Sequence, residues 1–374
     1  MRSDIAAYIR DKHLNSMRLV GSKVGAERTG DRAIEVFNPY TEQLIGTVPK
    51  ATLEEVQDTF AKAHAFKSSL SRYERAAILN RAAAIIKDRL DEVAQLITAE
   101  AGLCLKDSMY EAGRVSDVLL FGATEVLKDD GQIFSCDLTP HGKKRRVYTH
   151  RSPLLGVISA ITPFNHPMNQ VAHKVVPSIA TNNRMVLKPS EKVPFSALLF
   201  ADILYEAGLP PGMLSVITGD PREIADELIT HPLVDLVTFT GGVAIGKYIA
   251  SKAGYRRVVL ELGGNDPIIV MEDADLDEAS TLAVQGSYKI RASAARPSSA
   301  CWCMKLLQAI LSDRCWLKRW PSGMATRQTN PATWAQSSTR PQPCCLSRVS
   351  TTPWRRARSF SLVTSAVARC THPR

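Results

Sequence analysis

Between Leu155 and Leu262 the residues best suited to chemistry recur at one kind of place, the end of a short apolar run. Thr162 to His166 stand at the end of GVISAIT and Lys188 to Glu191 at the end of RMVLKP. Gly219 closes LSVITG, Gly241 to Gly246 follow VDLVTFT, and Glu261 to Gly264 close RRVVLELGG. In Gly241-x-x-x-x-Gly246 the chain turns tightly from a strand into a helix, whose free amide N–H groups and positive dipole end can face a pyrophosphate. The same spacing also serves an ordinary turn. Asn165 is a neutral amide whose NH₂ can donate to a developing oxyanion, although asparagine after a strand also forms turns. Glu261 is a carboxylate at a strand end, a general base if partly buried and a surface acid if not.

The elements that must position these groups follow from periodicity. The five apolar runs alternate with helix-like stretches, the pattern of an α/β fold with a doubly wound parallel sheet, on which ligands sit at the carboxyl ends of the strands. Ahead of them, MRLVGSKV, AIEVFNP and QLIGTVP are short β-type runs separated by turn signals and predict small hairpins. Thr52 with Glu55 begins a capping pattern, and apolar residues recur at helical spacing through Phe66, from Arg75 to Ile86 and from Val93 to Ile97. QIFSCDLTP and KRRVYTHRSP alternate as extended arms do and are read as an excursion that touches another subunit.

Composition divides the chain. Of 47 basic and 37 acidic residues, the stretch from Ile290 to Arg374 holds 14 basic and one acidic, Asp313, so the net charge of +10 belongs to the tail and the body is slightly acidic. The tail also holds Cys301, Cys303, Cys315, Cys344, Cys345 and Cys370 of the eight cysteines, and all five tryptophans. The N-terminal stretch mixes charges into its first apolar residues, unlike a secretory signal. The longest apolar run is cut by prolines and is too short to span a bilayer. The expectation is a cytoplasmic protein with no membrane partner.

TPFNHP, VLKPSE, FTGGVAIG and LELGGNDP, in this order and spacing, resemble the leading motifs of the aldehyde dehydrogenase superfamily from about Met17 to Lys289. The resemblance implies an NAD(P)-dependent oxidation of an aldehyde to its acid. Asn165 is then the oxyanion donor and Glu261 the general base that activates water. It also implies a cofactor held by Thr162, Pro163, Phe164, Lys188, Ser190 and Glu191 at the first two strand ends. Gly219, Phe239, Thr240, Gly241, Gly242, Ile245, Gly246, Leu262 and Gly263 hold it at the other three. Lys188 and Glu191 resemble the pair that contacts the adenosine ribose, and a carboxylate there repels a 2′-phosphate, which favours NAD while leaving NADP open. Gly242 stands where the family usually has a serine, so one phosphate hydrogen bond is lost. DDGQIFSCDLTPHGK, YEAGR and ITPFNHP further resemble phosphonoacetaldehyde dehydrogenases, with Arg114 and His166 matching the residues that hold the phosphonate. A dianion suits a guanidinium fork with a further donor. The implied layout is a cofactor domain over residues 1–130 and 150–262, an oligomerisation arm over 131–149, the start of a truncated catalytic domain over 263–289, and a tail over 290–374 with no domain. The family forms homo-oligomers, which the missing part of the catalytic domain puts in doubt here.

The resemblance ends before the nucleophile. The family attacks the aldehyde with a cysteine thiolate in a G-Q-R-C-T context, and the count from Glu261 lands on Ala295, within ASAARPSS. Codons exist for IRASAARPSSACWCM that read P-G-Q-R-C-T-A-V-K-R-M-L-V-H in another frame, and WAQSSTRPQPCCLSRVSTTPW permits an ordinary amphipathic string in that same frame. The expectation is a reading frame that shifts near Ile290 and a chain without turnover. A non-catalytic NAD-binding remnant is the alternative. Nucleic-acid binding by the basic, tryptophan-bearing tail is a weaker reading, because its charges form no helical stripe. Metal binding by Cys301, Cys303, Cys344 and Cys345 is weaker too, because their spacings fit no zinc pattern.

Overall fold

The structure, a computed structural model, describes residues 32–128, 131–150, 156–264, 266–271, 273–288 and 298–303. MRLVGSKV and Ala295 lie outside the described residues. The chain divides into two compact units, Met1–Gly263 and Gly264–Arg374.

The first unit opens with β1 (Ala33–Phe37) and β2 (Leu44–Pro49), an antiparallel hairpin with Ile34 opposite Val48. Four helices follow: α1 (Leu53–Ala65), α2 (Arg72–Asp88), α3 (Leu90–Ala101) and α4 (Leu105–Val126). Two of them start in reciprocal capping boxes, Thr52 with Glu55 and Ser71 with Glu74, each satisfying two amide donors that a helix start leaves open. Helix α3 stops at Gly102, whose φ of 69° is the left-handed conformation that favours glycine. β3 (Gly131–Ser135) and β4 (Arg146–His150) pair antiparallel, Gln132 opposite Thr149, as the alternating pattern predicts. Every residue of β3 is exposed.

The sheet comes next in strict alternation with helices. Its members are β5 (Val157–Ile161), α5 (Pro167–Ala180), β6 (Arg184–Lys188), α6 (Pro194–Glu206), β7 (Leu214–Val216), α7 (Pro221–Thr230), β8 (Leu236–Thr240), α8 (Val243–Lys252) and β9 (Arg257–Glu261). All pairings are parallel and the spatial order is β7-β6-β5-β8-β9. The five apolar runs of the sequence are these five strands. Helices α5, α6 and α7 each begin on a proline, which lacks the N–H that a helix start would leave open. One face of the sheet, with Val157, Val186, Val237 and Phe239, packs with Val56 and Phe60 of α1, Leu228 of α7 and Ile249 of α8. Helices α5 and α6 lie against the sheet as well, and α2, α3 and α4 pack onto them. Residues alternate across a parallel strand, so Thr238 and Thr240, and Glu261 in register with Thr240, share the face opposite Phe239.

In the second unit β10 (Asp266–Val270), α9 (Leu276–Tyr288) and β11 (Ser298–Cys303) form a parallel strand pair bridged by a helix, with Ile268 opposite Cys301. The tail pattern predicts no such strand. Parallel pairing needs only backbone groups, so a segment without a regular apolar period still adds to β10.

Candidate functional site

The carboxyl ends of the five strands carry the residues singled out in the sequence. Beyond β5, Thr162 donates its N–H to the Lys188 carbonyl at 3.2 Å, which ties the first two strand ends together. Phe164 is exposed, with the Lys192 ammonium 5.0 Å from its ring centre. Pro163 lies between them, partly buried. Thr162 Oγ1, Asn165 Oδ1 and Thr240 Oγ1 are buried without a hydrogen-bond partner among the described residues. Three polar atoms at neighbouring strand ends thus await partners, which buried polar groups rarely do without.

Lys188, at the end of β6, is almost fully buried, and its ammonium reaches the Glu191 carboxylate at 3.3 Å and the Pro189 carbonyl at 3.1 Å. Burial lowers the Lys188 pKa, and Glu191 pulls it back. Ser190 is buried and accepts the Lys192 amide at 3.3 Å. Glu191 itself is half-exposed and borders a cleft of about 490 Å³ lined also by Ala33, Ile34, Lys50, Asp220, Pro221 and Arg222. Gly219 closes this side, where a Cβ would stand 2.6 Å from Ile224 Cδ1.

The turn after β8 shows why glycine is needed at two of its three positions. A Cβ on Gly241 would meet the Phe239 ring at 2.4 Å, and one on Gly246 would meet Leu262 at 2.3 Å. At Gly242 nothing lies within 4 Å of such a Cβ. Gly242 is the N-cap of α8 and offers no side-chain cap, so the helix start keeps its amide donors open toward solvent beside exposed Ile245. Such an end accepts a phosphate. Leu262 is partly buried and Gly263 exposed past the end of β9. The Gly241 amide donates to the Glu261 carbonyl at 3.0 Å, joining the last two strand ends.

Glu261 corrects an expectation. Partial burial would suit a general base, yet Glu261 is exposed, as are Arg257, Val258 and Val259 of the same strand. β9 is the edge of the sheet, with Leu260 packed against the core and its other residues exposed. Beneath Glu261 lies a group that sequence reasoning passed over. Lys174 on α5 is buried and donates to Thr238 Oγ1 at 2.9 Å, and burial pushes its pKa down to about 8 against the attraction of Glu261. The signal in the sequence was a lysine within an otherwise buried helix that follows the Asn165 loop.

The residues read as phosphonate contacts are both placed around Glu111 of α4. His166 is the N-cap of α5, and its Nδ1 lies 3.1 Å from Glu111 Oε2 on α4. Arg114 is on α4 one turn from Glu111, partly buried, with its guanidinium 6.0 Å from the Tyr110 ring centre. Glu111 was missed, although it falls on the apolar stripe of Ala112, Val115 and Leu119, where a carboxylate must find partners.

Comparison with known proteins gives these features a family. The model of the aldehyde dehydrogenase family matches residues 26–292, more than half of the chain. A 3-sulfolactaldehyde dehydrogenase of Priestia aryabhattai is 39% identical over 277 residues, covering 74% of this chain and 58% of that protein. A sulfoacetaldehyde dehydrogenase of Neptuniibacter caesariensis is 36% identical over 257 residues, covering 68% and 56%. The solved structure of an NADP-dependent glyceraldehyde-3-phosphate dehydrogenase of Bacillus halodurans C-125, complexed with NADP, superposes with a TM-score of 0.72 at 31% identity, covering 76% of this chain and 60% of that one. The chain therefore spans well under two thirds of the relatives' length.

Proposed function

The chain belongs to the aldehyde dehydrogenase family, and from that premise we propose that its first unit is the cofactor-holding part of an enzyme that oxidises phosphonoacetaldehyde to phosphonoacetate. The observation that carries this reading is the gathering of Asn165, Lys188, Glu191, the Gly241–Gly246 turn and Glu261 at one end of one parallel sheet. NAD(P), when bound, supplies the hydride acceptor. The residues present fit it: the uncapped start of α8 for the pyrophosphate, Lys188 and Glu191 for the adenosine ribose, and the unpartnered Thr162 and Thr240 hydroxyls nearby. Glu191 favours NAD over NADP, because its carboxylate accepts ribose hydroxyls and repels a 2′-phosphate. Asn165 serves the oxyanion, and Glu261 serves water activation once covered.

Arg114 and His166 support the phosphonate head group, since a dianion needs charge-assisted donors. Relatives named for sulfonated aldehydes and for a phosphorylated one share the need to hold an anionic tetrahedral group. The nucleophile's position, Ala295, bears no thiol. The reading therefore includes an inactive chain with an out-of-frame tail, descended from a cytoplasmic homo-oligomer. Among the described residues no helix is long and apolar enough to cross a membrane.

The test is thermal melting of soluble, monodisperse full-length chain. Saturating NAD raises the melting temperature, by about 2.7 kcal/mol of stability at a hundredfold excess over Kd, and NADP raises it less. A melting temperature unmoved by NAD sinks the cofactor reading. The same sample oxidises no phosphonoacetaldehyde, and turnover that alkylation of Cys301 or Cys303 abolishes sinks the inactivity.

A further inference from the structure

Two buried glutamates hold helix starts in this fold, and they do so differently. Glu100, in the last turn of α3, takes the Phe195 amide on Oε2 at 2.9 Å and the Ser196 amide on Oε1 at 2.8 Å, so both of its oxygens serve the start of α6. Glu111, on α4, takes the Met168 and Asn169 amides both on Oε1, each at 3.1 Å. Its second oxygen is thereby kept for His166 Nδ1. The Glu111 side chain is 1% exposed, while that of His166 is 23% exposed, so the carboxylate is sealed in and the ring reaches outward.

We propose that Glu111 is a positioning residue for the substrate end of the site, fixing His166 so that Nε2 is the atom offered to the anionic head group. This rests on the reading that His166 contacts that group. In the arrangement proposed here the Glu111 oxygen accepts, so the ring hydrogen facing it sits on Nδ1. Nε2 is the ring's one remaining polar atom. When Nε2–H donates to an anion the ring carries a positive charge, and the carboxylate balances it from 3.1 Å. A carboxylate that orients an imidazole does the same for metal-binding histidines. Oε1 meanwhile anchors the first amides of α5, and with them the preceding loop that carries Asn165. Arg114, one turn further along α4, supplies the guanidinium from the same helix. Glu100 is the internal control, because it performs the helix-start task with no histidine attached.

The experiment uses full-length chain with ¹⁵N-labelled histidine, His166 being assigned by the signal lost in His166→Gln. The folded wild type shows His166 with its ring hydrogen on Nδ1. Glu111→Gln loses that signature and weakens phosphonoacetate binding about tenfold, the worth of one charge-assisted hydrogen bond, while the Kd for NAD changes less than twofold. His166→Gln weakens phosphonoacetate equally, and the double variant no further. Glu100→Gln leaves both the signature and the phosphonoacetate Kd unchanged. A ring whose only hydrogen sits on Nε2 in the folded wild type overturns the proposal even if Glu111→Gln does not fold. Equal weakening of NAD and phosphonoacetate by Glu111→Gln and Glu100→Gln also overturns it, reducing Glu111 to a helix cap. If wild type binds no phosphonoacetate the substrate reading fails, and the Nδ1 signature alone decides Glu111.

Discussion

Strands β6 and β9 have nearly the same sequence character, RMVLK and RVVLE, and opposite surroundings. Every residue of β6 is buried, between β5 and β7 and beneath helices, whereas β9 has one neighbour and leaves Val258 40% and Val259 46% exposed. Two strands equally ready for burial by composition thus divide into one that is buried and one that is not. An apolar edge strand with an open side invites association. The carboxyl end of the sheet inherits this difference. Lys188, at the end of β6, is sealed against Glu191, and Glu261, at the end of β9, stands in the open.

The comparison is broken most directly by substituting one side chain on each strand. Leu187→Ala in β6 removes a fully buried side chain and costs about 2–5 kcal/mol in denaturant unfolding. Val259→Thr in β9 costs about 0.5 kcal/mol or less and reduces self-association seen in sedimentation. Equal losses at the two positions would show that β9 is covered in solution.

The next effect concerns pH. Burial pushes the Glu100 carboxyl up to about 8, against the lowering by the Ser196 and Phe195 amides. The folded chain therefore binds a proton that the unfolded chain releases. Its contribution to stability is full below about pH 4.5 and is lost as the pH rises through about 8, by on the order of a few kcal/mol. Glu100→Gln flattens that decline in urea melts taken across the range, and a slope unchanged by the substitution assigns the pH dependence elsewhere.

The smallest effect sharpens the contrast at the glycine turn. Gly242→Ser meets open space and restores a side-chain cap to α8, adding a few tenths of a kcal/mol. It also tightens NAD by one hydrogen bond, up to about tenfold. Gly246→Ala, by contrast, drives a methyl into Leu262 and loses NAD binding. A calorimetric titration in which the two variants bind NAD alike would remove the turn from the cofactor site.

Much of this was written in local patterns. The capping boxes at Thr52 and Ser71, the prolines opening α5, α6 and α7, and the five apolar runs each state their element in a few adjacent residues. The strand-end residues were legible because a parallel α/β sheet puts loop chemistry at one end. The partners of Glu111, Glu100 and Lys174 were not legible, because they are 57, 95 and 64 residues away and only the packed helices bring them together. The exposure of Glu261 was hidden for the opposite reason. It depends on what fails to lie over β9, and the pattern of RVVLE reads the same whether or not a partner is present.

The strand order also fixes when the site comes into being. Along the chain β5 is followed by β6 and β7 on one side, and only then does the chain cross back to β8 and β9 on the other. The crossing is pinned by the Val157 amide donating to Asp235 Oδ2 at 2.9 Å, 78 residues away, a contact so close that a Cβ on Gly156 would stand 2.1 Å from the same carboxylate. Thr162, Lys188 and Glu191 thus belong to an early half of the sheet and the Gly241–Gly246 turn to a late half. Closing the long loop between them costs entropy before the non-local pairing offsets it. In refolding experiments the recovery of nucleotide affinity should accordingly trail the recovery of helical signal, the lag measuring the time taken to pair β5 with β8.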